Sequence, residues 1–270
     1  MINAPPSKRL KTSTLSRSPA KDNAPSSFLS VARATKQLLA AQDTETRQIA
    51  ARAVAAACDN TLDDIEITVR DAILPLAEML RGSDGEAEAG AVALYKLARN
   101  SKDKISISKA GAIISLVALL QNGTEEAKEN AAGALWELAE DHVNNQVSIE
   151  EAGGIPPLVA LLQSGTDLAK ENAAGALGTL ADDNHNNKVL IAKAGAIAGL
   201  VDLLQNGTIG AKENAAGVLW TLAEYNNENK VLIAKAGAIP QRVALVQNVT
   251  LRTYSVRHLA KMALRTLSYS

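Results

Sequence analysis

Aromatic side chains are scarce in this 270-residue chain: one Phe, two Trp and four Tyr. Strands draw on β-branched and aromatic residues, so this scarcity, beside an abundance of Ala and Leu, points away from sheet and towards closely packed helices. A single cysteine, Cys58, excludes an intramolecular disulfide framework and a Cys-rich metal site. Its register with Ala positions further along predicts a buried, small apolar role. No run approaches the roughly 20 apolar residues that span a bilayer. The N-terminal stretch, MINAPPSKRLKTSTLSRSPAKDNAPSS, contains no apolar leader. Both absences predict a soluble, intracellular chain, cytoplasmic or nuclear. Three Asn-X-Thr triplets, at Asn122, Asn206 and Asn248, are then turn chemistry and not glycan acceptors.

Signs of catalysis are missing too. His142, His185 and His258 have no Cys, no second His at metal-ligand spacing and no Ser nucleophile motif around them. Neither GxxxxGKS/T nor GxGxxG occurs, so no phosphate loop is present. The expectation is a non-enzymatic protein with no metal and no cofactor.

The formal net charge of −1 hides an asymmetry. Residues 1–27 carry five Lys/Arg against one Asp, and residues 241–270 carry five Lys/Arg and no acid. Between them, residues 110–235 hold sixteen acids against seven Lys. Residues 1–27, rich in Pro, Ser and Lys, read as a disordered basic tail. Within it Lys8, Arg9 and Lys11 fit a short basic nuclear signal. The opposite charges of tail and body also allow the tail to lie in its own acidic groove as a pseudo-ligand.

The most informative feature is an internal period. Ala-Gly recurs at Ala110-Gly111, Ala152-Gly153, Ala194-Gly195 and Ala236-Gly237, 42 residues apart each time. AKENAAG stands unchanged at 127–133, 169–175 and 211–217, and NKVLIAKAGAI at 187–197 and 229–239. Each unit reads as three helices. A short first helix, such as 187–194, ends at a glycine C′ residue such as Gly195. The second follows at once, with Pro156 and Pro240 where a helix start tolerates a missing N–H. Thr124, Thr166 and Thr208 then N-cap the third helices. In the third helix Ala127, Ala131, Ala134, Leu135 and Leu138 form one apolar stripe. The template extends back to 63–102, with Ile65, Ile67, Ala72, Ile73 and Leu76 at apolar positions and Tyr95 in register with Trp136 and Trp220. Residues 28–62 supply only two helices, a partial N-terminal cap. Five full units follow (63–102, 103–144, 145–186, 187–228 and 229–270). In the last, Arg252, Arg257, Lys261 and Arg265 give the polar outer surface a terminal repeat needs.

NKVLIAKAGAI, PLVALLQSGT and ENAAGALWELA, in that order within 42 residues, resemble armadillo repeats, most of all those of vacuolar-protein-8-like and plant-type armadillo proteins. The likeness covers about 28–270 and is strongest over 103–240. It implies an all-α, right-handed superhelical solenoid whose third helices line a concave groove that holds a protein or peptide partner. HEAT units lack the short first helix and the Ala-Gly junction.

The residues themselves place a polar stripe opposite the apolar one: Glu126, Asn130, Gly133, Glu137 and Glu140 step by three or four residues. Their counterparts are Asn172, Gly175, Thr179 and Asp183, then Asn214, Gly217, Thr221 and Glu224. With repeats stacked roughly 8–10 Å apart, Asn130, Asn172 and Asn214 form a ladder. Its amides either grip a peptide backbone or bridge neighbouring repeats. The Gly133, Gly175 and Gly217 ladder either lets a ligand approach or serves packing. Trp136 and Trp220 are either exposed hot spots or core between third helices. Groove acids would attract basic segments and repel nucleic acid.

Importin-α proteins, which are armadillo proteins, hold basic nuclear signals through a Trp and an Asn four residues apart. That Trp falls here on Gly133, Gly175 and Gly217, and that Asn on Glu137, Thr179 and Thr221, so both elements are missing. A scaffold holding an extended basic segment is the leading expectation. An importin-like transport adaptor and a substrate-recognition part of a ubiquitin-ligase assembly are the alternatives.

Overall fold

The computed structural model describes residues 26–58 and 70–237. Expectations for Lys8, Arg9 and Lys11, for Ile65 and Ile67, for Pro240 and Asn248, and for the basic residues from Arg252 to Arg265 lie outside the described residues. All regular structure among the described residues is α-helical. Two helices, α1 (Ser26–Ala40) and α2 (Thr44–Cys58), occupy the partial first repeat. They are followed by α3 (Arg70–Met79) and α4 (Asp84–Ala98). Three complete units come next. These are α5 (Ser101–Lys109), α6 (Ala112–Asn122) and α7 (Glu125–Ala139); α8 (Val143–Glu151), α9 (Ile155–Ser164) and α10 (Asp167–Ala181); and α11 (His185–Lys193), α12 (Ala196–Asn206) and α13 (Ile209–Ala223). The last described helix is α14 (Asn227–Lys235).

Local chemistry sets these boundaries. The first helices start two residues ahead of the expected unit boundaries, and an Asn caps three of the four. Asn100, Asn184 and Asn226 accept from the backbone N–H of Lys102, Asn187 and Asn229. Gly111, Gly153, Gly195 and Gly237 have φ of +75°, +76°, +89° and +79°. That left-handed conformation ends the first helix at little cost only for glycine. The chain turns there by 82° between α5 and α6 and by 79° between α11 and α12. Thr124, Thr166 and Thr208 do cap the third helices, accepting from Ala127, Ala169 and Ala211 at 3.2, 3.1 and 3.0 Å.

The apolar stripe of α7 is buried along its whole length. Its alanines allow close approach, and the third helices α4, α7, α10 and α13 make the most extensive contacts in the molecule. The second helices α6, α9 and α12 touch one another far less. A stack that is tight on one side and open on the other curves, and the third helices line its concave side. Cys58 packs against the core half-buried, short of the burial expected for it.

Asn145, Asn187 and Asn229 have a role that composition did not suggest. Each is buried and donates its side-chain N–H to the carbonyl of Leu138, Leu180 or Leu222, at 2.8, 2.8 and 2.9 Å. These bonds satisfy carbonyls that the last turn of a third helix otherwise leaves open. The 42-residue recurrence of these asparagines was the available signal.

Candidate functional site

Adjacent third helices are joined by a recurrent seam. The Nδ2 of Asn172 donates to the Glu129 carbonyl at 3.1 Å, and that of Asn214 to the Glu171 carbonyl at 3.1 Å. Beside them the Thr166 and Thr208 hydroxyls donate to the Glu129 and Glu171 carboxylates. A helical carbonyl has a second lone pair, and an amide on the facing helix is placed to take it. Of the two readings of the Asn ladder, Asn172 and Asn214 follow the one in which the amides bridge repeats, and Asn172 is only 2% exposed. Asn130 instead donates to Glu126, one turn back in its own helix, at 2.8 Å.

Two rungs of the glycine ladder likewise follow the packing alternative. A Cβ on Gly133 would lie 3.0 Å from the Tyr95 ring, and one on Gly175 only 2.5 Å from the Trp136 ring. Each ring lies on the glycine of the following repeat, so Gly133 and Gly175 are buried. Trp136 is thus inter-repeat packing that stays partly exposed, and neither a free hot spot nor full core. The series breaks at the next step. Gly178 stands where a ring is due, and a Cβ on Gly217 would find nothing within 4 Å.

That break opens a cavity of about 670 Å³ on the concave face. Trp136 and Trp220 wall it, and Gly175, Gly178, Gly217 and Val218 line it between them. Among the expected residues Glu140, Thr179 and Asp183 also line it, as do Asn214 and Thr221. Glu126, Asn130, Gly133, Glu137, Asn172 and Glu224 do not. Asp182 and Glu213 add negative charge. His142 and Gln146, from the start of the neighbouring first helix, were not foreseen as part of the site.

Buried lysines reach the ends of two third helices. Lys104 Nζ donates to the Glu140 carbonyl at 3.0 Å and lies 3.6 Å from its carboxylate. Lys188 Nζ lies 3.6 Å from the Glu224 carboxylate. The residue in register in the unit between them is Gln146, which donates to the Ala139 carbonyl at 3.0 Å.

Glu137 is half-buried near Tyr95. Burial raises its carboxyl above the ordinary range and the Glu140 charge adds to this, while Lys104 and Arg99 act in the opposite direction. Burial and then the Glu137 charge likewise raise the Tyr95 phenol. A carboxyl raised in the native state binds more protons folded than unfolded, so it lowers stability as pH rises from the ordinary Glu range through its raised value. Glu137→Gln is therefore expected to raise the melting temperature at pH 7. The gain should vanish below the ordinary carboxylate range, as thermal melts across pH would show.

Among the described residues no group of three His, Cys, Asp or Glu could hold a metal ion. No single described helix is long and apolar enough to cross a membrane.

Repeating three-helix units with a shared concave surface define an α-solenoid repeat protein. The armadillo/β-catenin-like repeat model matches residues 100–140, 146–182 and 184–224, so these three units are armadillo repeats and the fold is an armadillo-type solenoid. No curated protein matches it. Among solved structures, a designed armadillo repeat protein is 27% identical with a TM-score of 0.75, covering 88% of this chain and 99% of its own. A second designed armadillo repeat protein, in complex with the peptide (KR)4, is 26% identical with a TM-score of 0.71, covering 87% and 98%. A third solved protein, described as engineered, is 28% identical with a TM-score of 0.75, covering 88% and 96%.

Proposed function

We propose that this protein is a non-catalytic interaction scaffold that holds an extended, basic segment of a partner protein along its concave face. The cavity between Trp136 and Trp220, edged by Glu140, Asp182, Asp183 and Glu213, is the observation that carries this reading. Rings supply apolar contact, and exposed carboxylates supply attraction for Lys and Arg. The designed relative that holds (KR)4 supports the same chemistry. The proposed setting is inside the cell, in the cytoplasm or nucleus.

The test is fluorescence anisotropy with labelled (KR)4 and, as a control, an acidic peptide of equal length. The basic peptide is expected to bind and to weaken by about tenfold between low and moderately high salt, because the rim charges are solvent-exposed. The acidic peptide should not bind. Equal binding of the two, or no binding of (KR)4 at low salt, would refute the reading.

A further inference from the structure

The cavity is not a general property of the repeat. It arises around the unit of residues 145–186, where three of that unit's residues depart from the register of its neighbours together with His142 just before it and Val218 in the next unit. A ring at Tyr95 meets glycine at Gly133, and a ring at Trp136 meets glycine at Gly175, but Gly178 leaves Gly217 uncovered. The corresponding small contact residue changes too: Ala134 and Ala176 give way to Val218, whose Cγ2 would lie 3.1 Å from a Cβ on Gly178. In the first helix, Gln146 replaces the lysine found at Lys104, Lys188 and Lys230. No lysine therefore stands where Lys104 and Lys188 meet Glu140 and Glu224, and the acid in register is Asp182. The Asn that caps the first helix elsewhere is here His142, which makes no side-chain cap bond and whose Nδ1 is buried without a hydrogen-bond partner. Gly178, Val218, Gln146, Asp182 and His142 all line the one cavity.

A flat group and a cation have thus been removed from the same place. We propose that this cavity is an arginine pocket: one arginine of the bound segment lays its guanidinium in the seat over Gly217 that Gly178 leaves empty and pairs with Asp182. A lysine would meet the charge but offers no plane. An aromatic ring would fill the seat but leave the carboxylates uncompensated. The guanidinium is planar, permanently charged, stacks on rings and bonds a carboxylate through two parallel N–H groups. Trp136 and Trp220 on the two sides give its aliphatic stem apolar cover. This inference rests on the groove reading above and adds which side chain is selected and by which residues.

The experiment uses the full chain and a short labelled peptide of Gly, Ser and Lys with one central Arg, and the same peptide with central Lys, Phe or Ala. The Arg peptide is expected to bind at least about tenfold more tightly than the others. Gln146→Lys, which restores the neighbouring units' lysine, should erase that preference. Gly178→Trp combined with Val218→Ala, which restores the ring and its alanine, should erase it too without lowering the melting temperature. If that double variant does not fold, Gln146→Lys alone decides. Equal binding of Arg and Lys peptides, tightest binding of the Phe peptide, or a preference that survives Gln146→Lys would each overturn the arginine pocket and leave the basic groove standing. Failure of all four peptides to bind at low salt would overturn both.

Discussion

Gly175→Ala is expected to lower the melting temperature by several degrees, while Gly217→Ala, in an identical heptapeptide, raises it. Both glycines sit inside a helix, where alanine is preferred by about 0.5–1 kcal/mol. At Gly217 that gain is unopposed, because a new methyl meets nothing within 4 Å. At Gly175 the methyl would stand 2.5 Å from the Trp136 ring. The close atoms are Cδ2, Cε2 and Cε3 at the fused edge of the indole, so the whole ring must move to relieve the contact. Overpacking of this kind costs about 1–3 kcal/mol, which outweighs the helical gain at most of that range. With about 2–4 °C per kcal/mol for a chain of this size, the two variants should part by several degrees in circular-dichroism melts. Shifts of the same sign would show that Trp136 is not seated on Gly175.

Asn187→Leu has the second large expected effect, a loss of about 1–3 kcal/mol. Asn187 is 2% exposed and donates to the Leu180 carbonyl at 2.8 Å. Leucine is similar in size but has no donor, so that carbonyl would stay buried and unsatisfied at the end of α10. Asn186→Ala, next to it but exposed, is the control and should change stability by no more than about 0.5 kcal/mol. Urea unfolding measures the difference. Amide exchange should localise it, with faster exchange at the end of α10 and start of α11 than at α6. Equal loss from the two variants would mean that the bond to Leu180 carries no weight.

Much of the fold is legible in the amino-acid sequence. Identical heptapeptides 42 residues apart locate the third helices, the Ala-Gly pairs mark the corners, and Thr124, Thr166 and Thr208 mark the caps. These are local signals, decided within a few residues of backbone. The site was less legible. Asn130, Asn172 and Asn214 occupy the same place in the same motif, yet two bond across to the preceding repeat and one bonds within its own helix. Gly133, Gly175 and Gly217 are equally alike in sequence, yet only the last is open. What distinguishes each is a residue about 40 positions earlier: Tyr95, Trp136 or Gly178. The sequence shows that Gly178 interrupts the aromatic row. It does not show that the row presses on the glycine row.

The sequence by itself determined that this chain is a stack of three-helix units with an acidic body, because period, caps and charge are properties of the chain read in order. Only the tertiary structure decided which polar residues hold the stack together and which remain for a partner. Neighbouring third helices pack so closely that each seat is shared by two repeats. A seat left empty by one repeat becomes a cavity only when the next repeat also lacks the side chain to fill it.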